Sequence, residues 1–103
     1  MDISNKSTAL TGKQVRHLRA LGHHLKPVVL IGKEGVSAAL ISSIDECLTR
    51  HELLKIKVLE TCPLDRKEAA DLIASETRGH VAQVLGRTIL IYRAAESPTI
   101  VLP

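Results

Sequence analysis

The sequence predicts an α/β fold: one compact domain in which a mixed four-stranded sheet is packed with helices, in the order α-β-α-β-α-β-β. Three observations carry this. Apolar residues recur at three- and four-residue spacing in separate stretches that each open on a capping residue. Between them lie short runs that are apolar throughout or that alternate apolar with charged. The early strands are separated by helices and need crossovers, whereas the last two are separated by two residues, the length of a hairpin turn.

Residues 1–9 are polar and aperiodic, which predicts a flexible tail before a single domain over residues 10–103. Order begins at LTGKQV, where Thr11 caps a helix, Gln14 completes a capping box, and Leu10 and Val15 are placed as a hydrophobic staple. Val15, Leu18, Leu21 and Leu25 then make an apolar stripe, with Lys13, Arg16, Arg19 and His23 opposite. Pro27 ends this helix, and VVLI reads as a strand covered on both faces. A Gly-Lys-Glu-Gly loop follows at once. Ser37 caps a second helix with Leu40, Ile41, Ile44 and Leu48 as its stripe, ending near His51 or Glu52.

The run LLKIKVL sets Ile56 and Val58 on one face and Lys55 and Lys57 on the other, as a strand does. Asp65 and Glu68 form a second capping box, with Leu72 and Ile73 inside the third helix and Gly79 as its stop. HVAQVL and TILIYR flank Gly86 and Arg87, which suit a type II′ hairpin turn. The closing AAESPTIVLP allows a short edge strand, limited by Pro98 and Pro103.

A chain of 103 residues with a net charge of +3 has room for one core. Two cysteines, Cys47 and Cys62, in ordinary globular sequence suggest a reducing cytoplasm, and MDISNKSTAL has no apolar stretch long enough for a secretory signal. The apolar runs fall far short of the roughly 20 residues that cross a bilayer. The positive charge is N-terminal: residues 1–33 hold Lys6, Lys13, Arg16, Arg19, Lys26 and Lys33 against Asp2 alone. Such charge forms an electrostatic footprint where the residues lie together on one surface. Tyr92 is the only aromatic residue, so stacking on an aromatic platform cannot be the main device for binding nucleic acid.

A glycine loop between strand and helix lets a ligand approach the backbone and faces it with the helix's unpaired N–H groups, an arrangement that favours phosphate. The same two glycines would also serve a plain strand-to-helix turn. Neither a Walker A motif nor a three-glycine dinucleotide fingerprint is present. GKEG does match the G-x-x-G loop with which KH-type modules clamp a nucleic-acid backbone, with Lys33 supplying charge and Glu34 opposing it.

LTGKQVRHLRALGHHLKPVVLIGKEGVS, LLKIKVL, DRKEAADLIASETRG, QVLGRTILIYR and the closing VLP, taken in order, resemble a stand-alone CRM domain, the chloroplast RNA splicing and ribosome maturation module, of the bacterial YhbY-like family. The resemblance implies a fold similar to the C-terminal domain of translation initiation factor three. It further implies RNA binding through the G-x-x-G loop and association with precursors of the large ribosomal subunit. The loop positions that match are Gly32, Lys33, Glu34 and Gly35, and the family's basic surface matches at Lys13, Arg16, Arg19 and Lys26.

Other residues are open to plainer readings. Lys55 and Lys57 fit an exposed strand kept soluble, and Arg87 at the hairpin tip suits either a phosphate contact or solubility alone. The five histidines make no ligand pattern with the cysteines, and the serines sit in no nucleophile motif. The chain therefore reads as a binder of RNA, with no enzyme activity, metal, cofactor or small-molecule substrate, and as a monomer. The rival reading is a protein-interaction module that docks on a ribosomal protein through helix one, with the glycine loop purely structural.

Overall fold

The computed structural model of the chain describes residues 9–103. Apart from Ala9, the tail expected over residues 1–9 lies outside the described residues. The order is α1 (Gly12–Gly22), β1 (Val29–Ile31), α2 (Ala38–His51), β2 (Leu53–Val58), α3 (Arg66–Thr77), β3 (His80–Leu85) and β4 (Thr88–Tyr92). The strands form one mixed sheet in the order β1-β2-β4-β3, with β1 parallel to β2 and the other pairs antiparallel. This is the α-β-α-β-α-β-β arrangement the spacing predicts.

Both capping boxes form. The Thr11 hydroxyl accepts from the Gln14 N–H at 3.1 Å, and the Gln14 side-chain oxygen accepts from the Thr11 N–H at 3.0 Å. At α3 the Asp65 carboxylate accepts from the Lys67 N–H at 3.1 Å, and Glu68 accepts from the Asp65 N–H at 3.2 Å. Ser37 caps α2 through the Leu40 N–H at 3.1 Å.

Two layers of side chains cover the sheet. On one face Ile44 and Leu48 of α2 and Ala69, Ala70 and Ile73 of α3 meet Leu54, Ile56, Val58, Ile89 and Ile91. On the other, Leu18 of α1 packs on Leu53, Ala82, Leu90 and Tyr92, joined by Leu10, Ile100 and Leu102. Alternation along β2 therefore turns Lys55 and Lys57 towards the α1 side. Each fully buried aliphatic side chain contributes about 1.5–3 kcal/mol, so both layers are needed for a stable domain of this size.

Several sequence expectations are corrected. α1 stops at Gly22, where its backbone meets the sheet: a Cβ there would lie 2.7 Å from both Leu90 methyl carbons. Leu25 consequently falls in the linker, and Leu21 and Leu25 are exposed. β1 is an edge strand with Leu30 57% exposed, rather than a strand covered on both faces, because α1 packs over β2, β3 and β4. In α3 the alanines occupy the sheet side and Leu72 points outward. α3 ends with Arg78 in the left-handed region (φ 57°), one residue before Gly79.

The closing segment is no edge strand. It crosses the α1 side of the sheet and is tied down by Glu52, a residue 1% exposed with φ 64° at the end of α2. The Glu52 carboxylate accepts from the N–H groups of Ala95 (2.9 Å), Thr99 (2.8 Å) and Ile100 (3.0 Å) and from the Thr99 hydroxyl (2.7 Å). The Ala95 and Thr99 hydrogen bonds lead in favouring the charged form, outweigh the burial that opposes it, and lower the Glu52 pKa from 4.5 to about 2. On the opposite face Arg93 pairs with Asp45 and donates to the Thr77 carbonyl at 2.8 Å and the Thr49 hydroxyl at 2.9 Å, fastening α2 and α3 to the end of β4.

Candidate nucleic-acid interface

The loop Gly32-Lys33-Glu34-Gly35 leaves β1 as a tight turn closed by the Gly35 N–H donating to the Gly32 carbonyl at 3.0 Å. Gly35 has φ +65°, a conformation L side chains rarely adopt, and its Cβ position lies 3.3 Å from Pro63. The loop thus rests on the segment joining β2 to α3, and the side chains at its tip, Lys33 and Glu34, are exposed. The N-terminus of α2 follows directly and carries no acidic residue in its first turn, so its positive end is not neutralised there. Glu34 makes no ion pair among the described residues.

Arg87 shares this end of the sheet. Its carbonyl accepts from the Val58 N–H at 2.7 Å, while Ile31, the last residue before the loop, pairs with Val58 from the other side. Loop and hairpin tip therefore flank the end of β2. Gly86 has φ +57° and Arg87 does not have positive φ, as a type II′ turn requires.

The cations expected on helix one separate into three groups. Arg16, Arg19 and His23 line a cleft of ≈ 630 Å³ between α1 and the sheet. Lys13 is exposed on the helix and is not part of the lining. Lys26 lies in the linker beyond α1, lining a second cleft of ≈ 380 Å³ with Leu21, Leu25, Val28 and His51.

Sequence reasoning missed the far wall of the first cleft. Lys55 of β2, Gln83 and Leu85 of β3 and Thr88 of β4 line it opposite the arginines. The Lys55–Lys57 alternation pointed to a wet face, but nothing local indicates that α1 lays two arginines beside it. The only ion pair among the described residues is Arg93–Asp45, so Arg16, Arg19 and Lys55 converge without a carboxylate partner there. Lys55 lies four residues before Leu59, whose N–H bonds to the Ile31 carbonyl, about 13 Å at about 3.3 Å per residue, while Thr88, opposite Lys57, carries the cleft closer to the loop end. Among the described residues no three His, Cys, Asp or Glu side chains are grouped to hold a metal ion, and no helix is long and apolar enough to cross a membrane.

A mixed sheet that presents a glycine loop at one end and a cationic cleft on one face defines a small α/β binding module. The chain belongs to the CRS1 / YhbY (CRM) domain family, whose model matches residues 10–93. It is 40% identical over 95 residues to the Bacillus subtilis protein named "Probable RNA-binding protein YqeI", covering 91% of this chain and 99% of that one. It is 34% identical over 96 residues to a Haemophilus influenzae protein named "RNA-binding protein", covering 93% and 97%. The solution structure of SAV1595 from Staphylococcus aureus superposes with a TM-score of 0.78 at 42% identity, covering 91% of this chain and 99% of that one. These relatives are named for binding and not for catalysis.

Proposed function

We propose that this chain is a cytoplasmic RNA-binding protein that associates, as a monomer, with precursors of the large ribosomal subunit and assists their assembly. Gly32, Lys33, Glu34 and Gly35 clamp the RNA backbone, with Arg87 at the same sheet end and Arg16 and Arg19 along the α1 face; Lys13 and Lys26 add long-range attraction. The observation that carries the reading is the joint placement of a positive-φ glycine turn, a helix N-terminus with no acid in its first turn and cations without carboxylate partners among the described residues around one strand, β2. The names of the relatives supply the polymer, and the family resemblance supplies the ribosomal precursor.

The test is binding of the purified chain to large-subunit ribosomal RNA fragments across a salt series, beside a folded Lys33→Asp variant. The clamp requires affinity that falls steeply with salt, and a variant that binds more weakly with a log–log slope shallower by about 0.7–0.9 per lost phosphate contact. Weak binding, with the variant indistinguishable from the parent, overturns it. The second reading, docking on a ribosomal protein, is favoured by one observation: Leu21, Leu25 and Val28 are exposed around the cleft that Lys26 lines, which would suit an apolar partner with acidic flanks.

A further inference from the structure

Strand β3 departs from regular pairing at one point. Val81 is opposite Ile91 and Gln83 is opposite Leu90, so Ala82 is an extra residue, a β-bulge. In a regular strand Ala82 and Gln83 would face opposite sides of the sheet. Here Ala82 packs with Leu18 on the α1 side and Gln83 lines the α1-side cleft, while Val81 and Val84 pack on the other face. The bulge has therefore turned a neutral hydrogen-bonding side chain into a cleft walled by Arg16, Arg19 and Lys55. Neither the Gln83 amide nor the Thr88 hydroxyl, both half-buried, has a hydrogen-bond partner among the described residues.

We propose that this cleft seats one unpaired nucleotide of the bound RNA and that Gln83 reads its base. The proposal rests on the RNA reading above and deepens it, because backbone contacts alone carry no base preference. The cleft volume, ≈ 630 Å³, lies in the range of roughly 300–1,000 Å³ that small-molecule-sized groups occupy. Its chemistry is divided as a nucleotide's is. Arg16, Arg19 and Lys55 meet the phosphate, Leu85 at the rim offers an apolar surface to the sugar or base, and Gln83 and Thr88 offer both donors and acceptors to a base edge. With no Phe, Tyr or Trp in the cleft, the His23 imidazole or an arginine guanidinium supplies the plane on which the base stacks. A side-chain amide pairs in bidentate fashion with adenine, so adenine is the base expected.

The experiment uses the full chain and RNA hairpins of one stem that differ in a single unpaired nucleotide, with a fully paired hairpin as the fifth probe. Affinities are compared for the parent chain, Gln83→Ala and Arg19→Gln. Gln83→Met, which keeps the side-chain volume, guards against a folding artefact, and thermal melts check every variant. The expected result is a preference of the parent for unpaired adenine of about fivefold or more, the lower end of what a bidentate amide–base pair gives. Gln83→Ala and Gln83→Met lower that affinity to the level of the other bases, whereas Arg19→Gln weakens all the unpaired probes alike. Equal affinity of the parent for all four bases, or a preference that survives both Gln83 variants, overturns the nucleotide seat and leaves the backbone clamp standing. No binding of any probe by the parent overturns the RNA reading itself, and the seat with it.

Discussion

Replacing Glu52 by Gln removes one charge from a site that is 1% exposed and leaves the volume nearly unchanged. In the native chain one carboxylate accepts three backbone N–H groups and a hydroxyl; a Gln amide turns a donor towards at least one of those donors. The size of the effect follows from the lowered pKa. A fall from 4.5 to about 2 corresponds, at about 1.36 kcal/mol per pH unit, to at most about 3 kcal/mol of stability. Because the folded-state value is depressed, that contribution is complete above the unfolded value of 4.5 and is lost as pH falls towards 2. By pH 3 roughly half of it is gone. Urea unfolding of parent and Glu52→Gln should show the variant less stable by about 2–3 kcal/mol at pH 7, with a gap that narrows steadily on acidification. The other carboxylates titrate in both chains, so the difference isolates this site. Equal midpoints at pH 7, or a gap that persists unchanged to pH 2, would refute the argument that the carboxylate holds the closing segment.

Two further outcomes follow from the packing of the α1 side. Gly22→Ala places a Cβ 2.7 Å from the methyl carbons of Leu90, which is 2% exposed and cannot swing into solvent. Overpacking costs about 1–3 kcal/mol, so despite alanine's better helix propensity the thermal midpoint should drop by several degrees; an unchanged or raised midpoint would show that α1 has room to move. The Tyr92 phenol is pushed above its usual 10 by burial and by the charge of Glu52, and as the only aromatic residue it can be titrated by absorbance alone. Since the fold favours the neutral phenol, stability falls as pH rises past 10, and Glu52→Gln should bring the midpoint part of the way down. A midpoint untouched by that change would separate Tyr92 from Glu52.

The parts of this fold legible in the sequence were those written in local chemistry. Thr11–Gln14 and Asp65–Glu68 state their helix starts within four residues, and Gly86-Arg87 states its turn. What escaped was decided by partners distant along the chain. VVLI is apolar at every position, so its period is silent about which side is covered, and only the strand order reveals an edge. Leu72 lost the core to Ala69 and Ala70 because α3 sits close on the sheet, where small residues fit. Glu52 looks like any helix-end acid until Ala95, Thr99 and Ile100 are brought to it. The same holds for the candidate site. GKEG announced itself, whereas Lys55 and Gln83 gained their setting only from the docking of α1 and a bulge that no residue letter marks.

The Glu52 tether also sets an order of events while the chain is being made. Its hydrogen-bond donors lie 43 to 48 residues further on, so at about 5–20 residues per second they are synthesised some 2–10 s after it. During that interval the acid at the end of α2 lacks these donors, and Leu53 awaits Ile100 and Leu102. A nascent chain halted before Thr99 would carry a sheet with one finished side and one unfinished, and the α1 side closes only once residues 95–102 have been made.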